Sequence, residues 1–344
     1  MIQYADVIVD LQSGDTGKGK VTNFLASKKN QYTHVVRYNG GHNAGHTIYN
    51  EGKKIITHLI PCGVLHGIKS IVGPGCVVDP QKFLKEVQEL KDLGYDTSLI
   101  KIDKRVHIIT EDHLAEDGKD TKIGTTRTGN GPAYRDKYDR TGLRAENGGP
   151  ALEPYLIDIY EEFHGDEICK ILFEGAQGFK LDVDWGEYPY VTSSHCTVGA
   201  VCLNGVPPPK IRDVYGVAKA YETYVGAKDF ENGALFKGIH KDIAETIREV
   251  GNEYGATTGR PRQINWIDFN ELEMAIKING VNTLIINKID VLEHPKVNTF
   301  AAYGVTKSIG AKHFTSSEYF THHIIDRFKK MVGEIIFSRS AELV

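Results

Sequence analysis

The sequence predicts an α/β fold, and three observations carry that reading. Short β-branched runs alternate with longer amphipathic stretches along all 344 residues. The short runs are nearly all apolar rather than alternating, as strands covered on both faces should be. The first of them, Val7-Ile8-Val9, runs straight into the glycine-rich Gly14-Asp15-Thr16-Gly17-Lys18-Gly19-Lys20. The expected architecture is a central, mostly parallel sheet flanked by helices, with a phosphate-binding loop after the first strand.

In chain order, the further strands expected are Val35-Val36, Ile171-Leu172-Phe173, Val214 to Val217 and Leu284-Ile285-Ile286. Between them, Asp79 precedes Pro80 as cap and first-turn residue. Phe83, Leu84, Val87, Leu90 and Leu93 then recur at helical spacing until Gly94. Ile243, Ile247 and Val250 form a second stripe closed by Gly251, and Tyr319, Phe320, Ile324, Phe328 and Met331 a third. All three read as core packing. Pro207-Pro208-Pro209 reads as a rigid connection rather than a linker. Residues 1–344 are therefore taken as one domain with long active-site loops.

Composition narrows the function. Forty-one basic against 45 acidic residues leave a net charge of −4, which offers no general surface for nucleic acid. Five cysteines without C-x-x-C spacing argue against a disulfide framework or a zinc knuckle. No apolar run approaches the roughly 18 residues of a membrane span. Met1 to Asp6 lacks the basic and apolar regions of a signal peptide, so a cytoplasmic location is expected.

The loop Gly14 to Lys20 fits G-x-x-x-x-G-K but is followed by Val21 where a Walker loop has Ser or Thr. Glycines let amides approach phosphate oxygens, the helix start adds its dipole, and Lys18 and Lys20 add charge. The missing hydroxyl removes the usual magnesium ligand, and Asp15 is the natural replacement. A carboxylate aimed at phosphates needs a metal or a proton to handle. The alternative is a plain glycine turn.

Leu284 to Asp290 is an apolar strand entering N-K-x-D. A carboxylate at Asp290 can accept from guanine's ring N–H and 2-amino group, which adenine does not offer, while the Lys288 stem lies along the base. This raises a rival class, the regulatory P-loop GTPase. No D-x-x-G stands in a suitable place and the Walker hydroxyl is absent, which leaves a switch little to work with. His42 and His46 stand four apart, but Gly41 and Gly45 disfavour a helix and no Glu follows His42. A loop presenting one histidine to a leaving phosphate fits better than a zinc pair.

Taken in order, G-D-x-G-K-G-K, Gly40 to Thr47, Gly124-Thr125-Thr126, Glu174 to Gly178, Tyr188 to Ser194, Gly255 to Arg262 and N-K-x-D resemble the adenylosuccinate synthetase family over the chain from about Val7 onward. The chain is short for that family and similar to its compact archaeal-type members. The resemblance implies a GTP- and magnesium-dependent ligation of aspartate to IMP through a 6-phosphoryl intermediate. It implies Asp15 as base and metal ligand with the Gly45 carbonyl, and His46 as donor to the departing phosphate. Lys18 and the loop amides of Gly14, Gly17, Gly19 and Lys20 would hold the phosphoryl group, with Gln177 beside it. Ser13, Asn43, Ala44, Thr126, Gln177 and Thr192 would bind the purine nucleotide. Arg140 would reach a partner subunit's site in a homodimer. Thr257, Thr258, Arg260 and Arg262 would grip aspartate, since an Arg fork suits a dicarboxylate. Lys288 and Asp290 would read guanine, with Ser338 and Ser340 closing over it.

Departures from the family pattern stand beside these matches. Ser13 replaces a Trp, Thr16 replaces a Glu, and Pro261 interrupts an arginine run. The stretch from Gly124 reads G-T-T-R-T-G-N-G-P. Asp10-Leu11-Gln12 and Thr16 are similar to phage relatives that join aspartate to dGMP; for the donor of this chain, ATP and dATP stand beside GTP as alternatives. Those relatives often carry Ser where this chain keeps Asp15, which favours IMP and leaves dGMP as the alternative.

Overall fold

The computed structural model describes residues 1–50, 52–121, 123–228, 241–255, 259–306 and 310–340. Nine strands form one sheet in the order Glu334–Phe337, Thr283–Asn287, Ile211–Lys219, Ile2–Asp10, Cys169–Glu174, His34–Arg37, Lys69–Val72, Ile100–Asp103, Leu156–Ile157. Every neighbouring pair is parallel. All of the expected strand runs fall inside it.

The apolar runs are explained by cover on both faces. Val7, Val9 and Phe173 enter the largest apolar cluster, which also draws on Trp266, Phe320 and Phe328. Ile8, Val35, Leu172, Val217 and Ile285 face the other way, onto Val21 and Leu25 of the helix Lys18–Ala26. Burying each such side chain contributes about 1.5–3 kcal/mol, so the central strands are the firmest part of the molecule.

A second, four-stranded sheet orders Tyr221–Tyr224, Gln263–Asp268, Phe300–Tyr303 and Lys312–Phe314. Its first strand follows one residue after Lys219, so the chain passes directly from one sheet to the other.

The helices follow their sequence signals with two corrections. Pro80–Asp92 is capped by the Asp79 carboxylate, which accepts from the amides of Gln81 and Lys82, and Phe83, Val87 and Leu90 are buried. Leu93, expected in the stripe, is exposed because the helix has already ended there. In Ser317–Phe328, Phe320, Ile324 and Phe328 are buried at four-residue steps. Tyr319 stands one position, roughly 100°, off that stripe, and is exposed. Met331 lies beyond the helix, packed at the margin of the core. In Lys241–Gly251, Ile247 is buried and Ile243 and Val250 pack against it.

The sheet positions the chemistry by one rule. Asp10, Arg37, Glu174, Lys219 and Asn287 are each the last residue of their strand. Five polar side chains therefore emerge together at the carboxyl edge, where open α/β sheets bind ligands.

Candidate active site

The loop after the central strand turns through left-handed backbone at Gly14 (φ 90°), Asp15 (φ 57°) and Gly17 (φ 100°) before the helix Lys18–Ala26 begins. Two of its glycines are required by close approach. A Cβ on Gly17 would stand 2.7 Å from Asn287 Nδ2, and one on Gly19 2.9 Å from His46 Cβ. Asn287 Nδ2 also donates to the Thr16 carbonyl at 2.7 Å, tying the end of the N-K-x-D strand to the loop. Asp15 holds a left-handed conformation without being glycine, a strain of order 1 kcal/mol that the surrounding contacts sustain.

The two lysines of the loop divide. Lys18 is buried, its ammonium 2.8 Å from Asp10 Oδ2 and also donating to the Gln177 carbonyl. Lys20, expected to add charge to the loop, reaches instead to Ser338 Oγ at 2.6 Å and the Ser340 carbonyl at 3.0 Å. Burial pulls its pKa down to about 8, with Asp290 opposing and Lys288 reinforcing. Lys288 is itself left-handed (φ 68°) and donates to the Gly251 carbonyl at 3.0 Å, while Asp290 is exposed at the start of the next helix.

A cavity of about 1220 Å³ joins these ends. Its wall contains Ser13 to Lys20, Asn43 to His46, Thr126, Gln177, Thr192, Arg260, Arg262, Lys288, Asp290 and Ser340. Most of the residues singled out from sequence are thus brought to one space, large enough for more than one substrate. Ser338 is buried behind it, on Lys20. Thr257 and Thr258 lie outside the described residues. Arg140 is not among the cavity residues: it caps the far end of helix Asn130–Asp139, exposed, with φ 66°.

At the cavity's centre Asp15 Oδ2 pairs with Arg262 Nη2 at 2.7 Å. Arg262 also pairs with Glu253, which in turn accepts from Lys219 Nζ at 2.8 Å and Tyr221 Oη at 2.7 Å. Burial works against the Glu253 charge, yet Lys219 and Arg262 hold its pKa at about 2. Opposite, Gln177 (φ 54°) donates to Asn43 Oδ1 at 2.8 Å. Gln177 Oε1 and Asn130 Nδ2, both on cavity residues, are buried with no hydrogen-bond partner among the described residues, the state of groups that a ligand completes.

His46 is held by a buried triad. Its Nδ1 bonds the Glu174 carboxylate and its Nε2 stands 3.2 Å from Arg37 Nη1, while Arg37 Nη2 reaches Glu174 at 2.9 Å. With Nδ1–H directed at Glu174, Nε2 accepts from Arg37. Burial and the Arg37 charge bring the His46 pKa down to about 4, so the ring is neutral near pH 7. Both ring nitrogens are therefore engaged, and donation to a phosphate requires the ring to leave Arg37. His42 is buried, its Nδ1 accepts from the Asp79 amide at 3.5 Å, and burial lowers its pKa to about 3.

Arg37, Lys219 and Glu253 have no role in the sequence reading, and Asp10 enters it only within Asp10-Leu11-Gln12. One further acidic group, Asp182, Asp184 and His195, brings three potential ligand atoms together outside the cavity. The Asp182 carboxylate already accepts from the amides of Asp184, Trp185 and Cys196, so it organises a turn.

The chain is similar to known proteins over most of its length. The family described as adenylosuccinate synthetase matches residues 7–149 and 149–334. An adenylosuccinate synthetase of Shouchella clausii is 40% identical over 338 residues, covering 83% of this chain and 77% of that one. That of Leuconostoc citreum is 36% identical, covering 95% and 87%. Among solved structures, the fully ligated adenylosuccinate synthetase of Plasmodium falciparum has a TM-score of 0.82 at 26% identity, covering 98% and 97%. The succinoaminodeoxyadenylate synthetase of cyanophage S-2L, bound to dGMP and dATP, shares the fold with a TM-score of 0.75 at 20% identity, covering 99% and 94%.

Proposed function

The chain belongs to the adenylosuccinate synthetase family of ligases, and from that premise we propose that it joins L-aspartate to the 6-position of IMP at the expense of GTP. The observation that supports this most is the place of Asp15. It carries a half-exposed carboxylate on a phosphate-type loop, in the same cavity as an arginine pair and a guanine-type carboxylate.

Asp15 takes the proton from the purine ring nitrogen, which makes the 6-oxygen nucleophilic toward the γ-phosphate of GTP. Lys18 and the first-turn amides of helix Lys18–Ala26 hold the phosphoryl group in line. His46, once its ring has left Arg37 and Nε2 has taken up a proton, donates to the departing β-phosphate oxygen. The amine of aspartate, with its carboxylates on Arg260 and Arg262, then displaces phosphate from the 6-phosphoryl purine. Asp290 and Lys288 select guanine in the donor.

The residues fit a magnesium ion. The partner of the Asp15 carboxylate in this structure is already a cation, Arg262, and Gly45 lines the same cavity, so its carbonyl would add a second hard oxygen donor. Bound there, magnesium would neutralise phosphate charge during transfer. We further propose a homodimer in which Arg140, exposed and outside its own cavity, serves the partner's site.

The test is turnover with magnesium, aspartate and GTP, offering IMP and dGMP in parallel and identifying products by mass. Succinylated product from IMP supports the reading. Product chiefly from dGMP moves the same chemistry to a 2-aminopurine acceptor. Binding of GTP with neither product returns the switch-protein alternative.

A further inference from the structure

We propose that Asp10 is a positioning residue that presets Lys18, the buried lysine of the phosphate loop, for a triphosphate; this rests on the reading of the loop as the donor's phosphate site. Asp10 ends the central strand and is 1% exposed. Its carboxylate gathers five donors from the following eight residues. The amides of Gln12, Gly14 and Thr16 lie at 2.9, 3.2 and 3.3 Å, the Thr16 hydroxyl is hydrogen-bonded, and the Lys18 ammonium stands at 2.8 Å.

This arrangement sorts the loop. The amides of Gly14 and Thr16 turn inward to the carboxylate, and those at the start of the helix, which have no intrahelical acceptor, are left for the ligand. An isolated buried ammonium would be expelled or neutralised. Asp10 and the Gln177 carbonyl hold the Lys18 ammonium in place, using two of its three hydrogens and leaving one for a phosphate oxygen. Because Asp10 sits on the sheet, the lysine is referenced to the most rigid element and not to the loop it serves. A carboxylate serving only to shape the turn would have no need of the ammonium. The contact with Lys18 therefore makes a prediction that plain turn support does not.

The experiment is a calorimetric binding ladder of GTP, GDP and guanosine, with ATP, ADP and adenosine in parallel. It is run on the full chain and on Asp10→Asn, Lys18→Met and the double variant. Loss of one charge-assisted bond predicts that Asp10→Asn binds the triphosphate about tenfold or more weakly while the nucleoside is unchanged. The double variant should be no weaker than Lys18→Met alone, since Asp10 acts through that lysine. Triphosphate binding within about twofold of wild type, equal losses for triphosphate and nucleoside, or additive losses in the double variant would each overturn the proposal. If Asp10→Asn does not fold, Thr16→Val, which removes only the hydroxyl that orients the carboxylate, is the second variant. It should weaken triphosphate binding about threefold and spare the nucleoside, and no change would overturn the proposal. The ladder needs no acceptor, so a chain that binds GTP yet ligates neither IMP nor dGMP fails the functional reading and still tests Asp10.

Discussion

Asp15 Oδ2 and Arg262 Nη2 stand 2.7 Å apart, so the proposed base and the proposed aspartate clamp are ion-paired with each other. Each must be released for its task. On the proposed roles, a dicarboxylate arriving at Arg262 would draw the guanidinium away and bare Asp15 for the purine proton and the metal. Arg262→Leu should therefore raise KM for aspartate about 100-fold, as expected for loss of a bidentate charge pair. The same variant should bind Mn2+, followed by electron paramagnetic resonance, more tightly than wild type, because the competing cation is gone. Unchanged or weaker Mn2+ binding would count against the shared use of Asp15.

Asp15→Asn keeps the shape of the side chain and removes its basicity. Turnover should fall by about 10²–10⁴-fold, the usual range for loss of a general base, with nucleotide binding by calorimetry nearly intact. Near-normal turnover would exclude Asp15 as the base.

Donor selection should reside in Asp290. The carboxylate accepts from N–H groups that guanine has and adenine lacks, and a site built for such bonds rejects the wrong base strongly. Asp290→Asn should lower kcat/KM for GTP about 100-fold while moving that for ATP by much less. A parallel loss for both would show that the residue acts on the loop and not on the base.

Much of this was legible in the chain. Apolar runs report strands buried on both faces, and the Asp79-Pro80 start and Gly94 stop report a helix, because those signals are local. The loop motif and N-K-x-D locate two ends of one cavity for the same reason. What stayed hidden depends on contacts distant in sequence. Arg37 and Glu174 are 137 residues apart and meet only through sheet register. Glu253, just after helix Lys241–Gly251, meets the strand-end Lys219 from 34 residues away. Asp10 stands in the sequence only as part of Asp10-Leu11-Gln12, with no partner in view, and nothing near Lys20 shows that it points to Ser338 rather than to phosphate. Tyr319 and Leu93 were misplaced because a spacing pattern marks a face only to within one residue and while the helix lasts.

The exposed Arg140 makes a prediction about assembly. If its guanidinium completes a neighbouring site, Arg140→Leu and Asp15→Asn are each inactive for reasons located in different subunits. Mixing them in equal amounts with free exchange makes half the dimers mixed. Each mixed dimer has one site with an intact Asp15 and a borrowed Arg140, so about a quarter of wild-type activity should return. No recovery after exchange is verified by native mass spectrometry would argue against a shared site.

Acid should unfold this protein through the His46 triad. Glu174 is fully buried, and burial favours its neutral form, yet Arg37 and His46 hold its pKa at about 2, below the ordinary 4.5. A depressed carboxylate binds fewer protons folded than unfolded, so its stabilisation is present above the unfolded pKa and is lost as pH falls from 4.5 towards 2. His46, brought down to about 4 from 6.5 by burial and Arg37, acts with the same sign: the unfolded ring takes up a proton first. Stability should thus decline from about pH 6.5 and fall more steeply below about 4.5, with Glu174 contributing on the order of 3 kcal/mol. Glu174→Gln leaves Arg37 without its counter-charge and should cost about 3–5 kcal/mol at pH 7. It should also flatten the slope between pH 5 and 3, measured by urea unfolding at each pH. A variant that lost stability at pH 7 but kept the wild-type slope would place the acid-sensitive charge elsewhere.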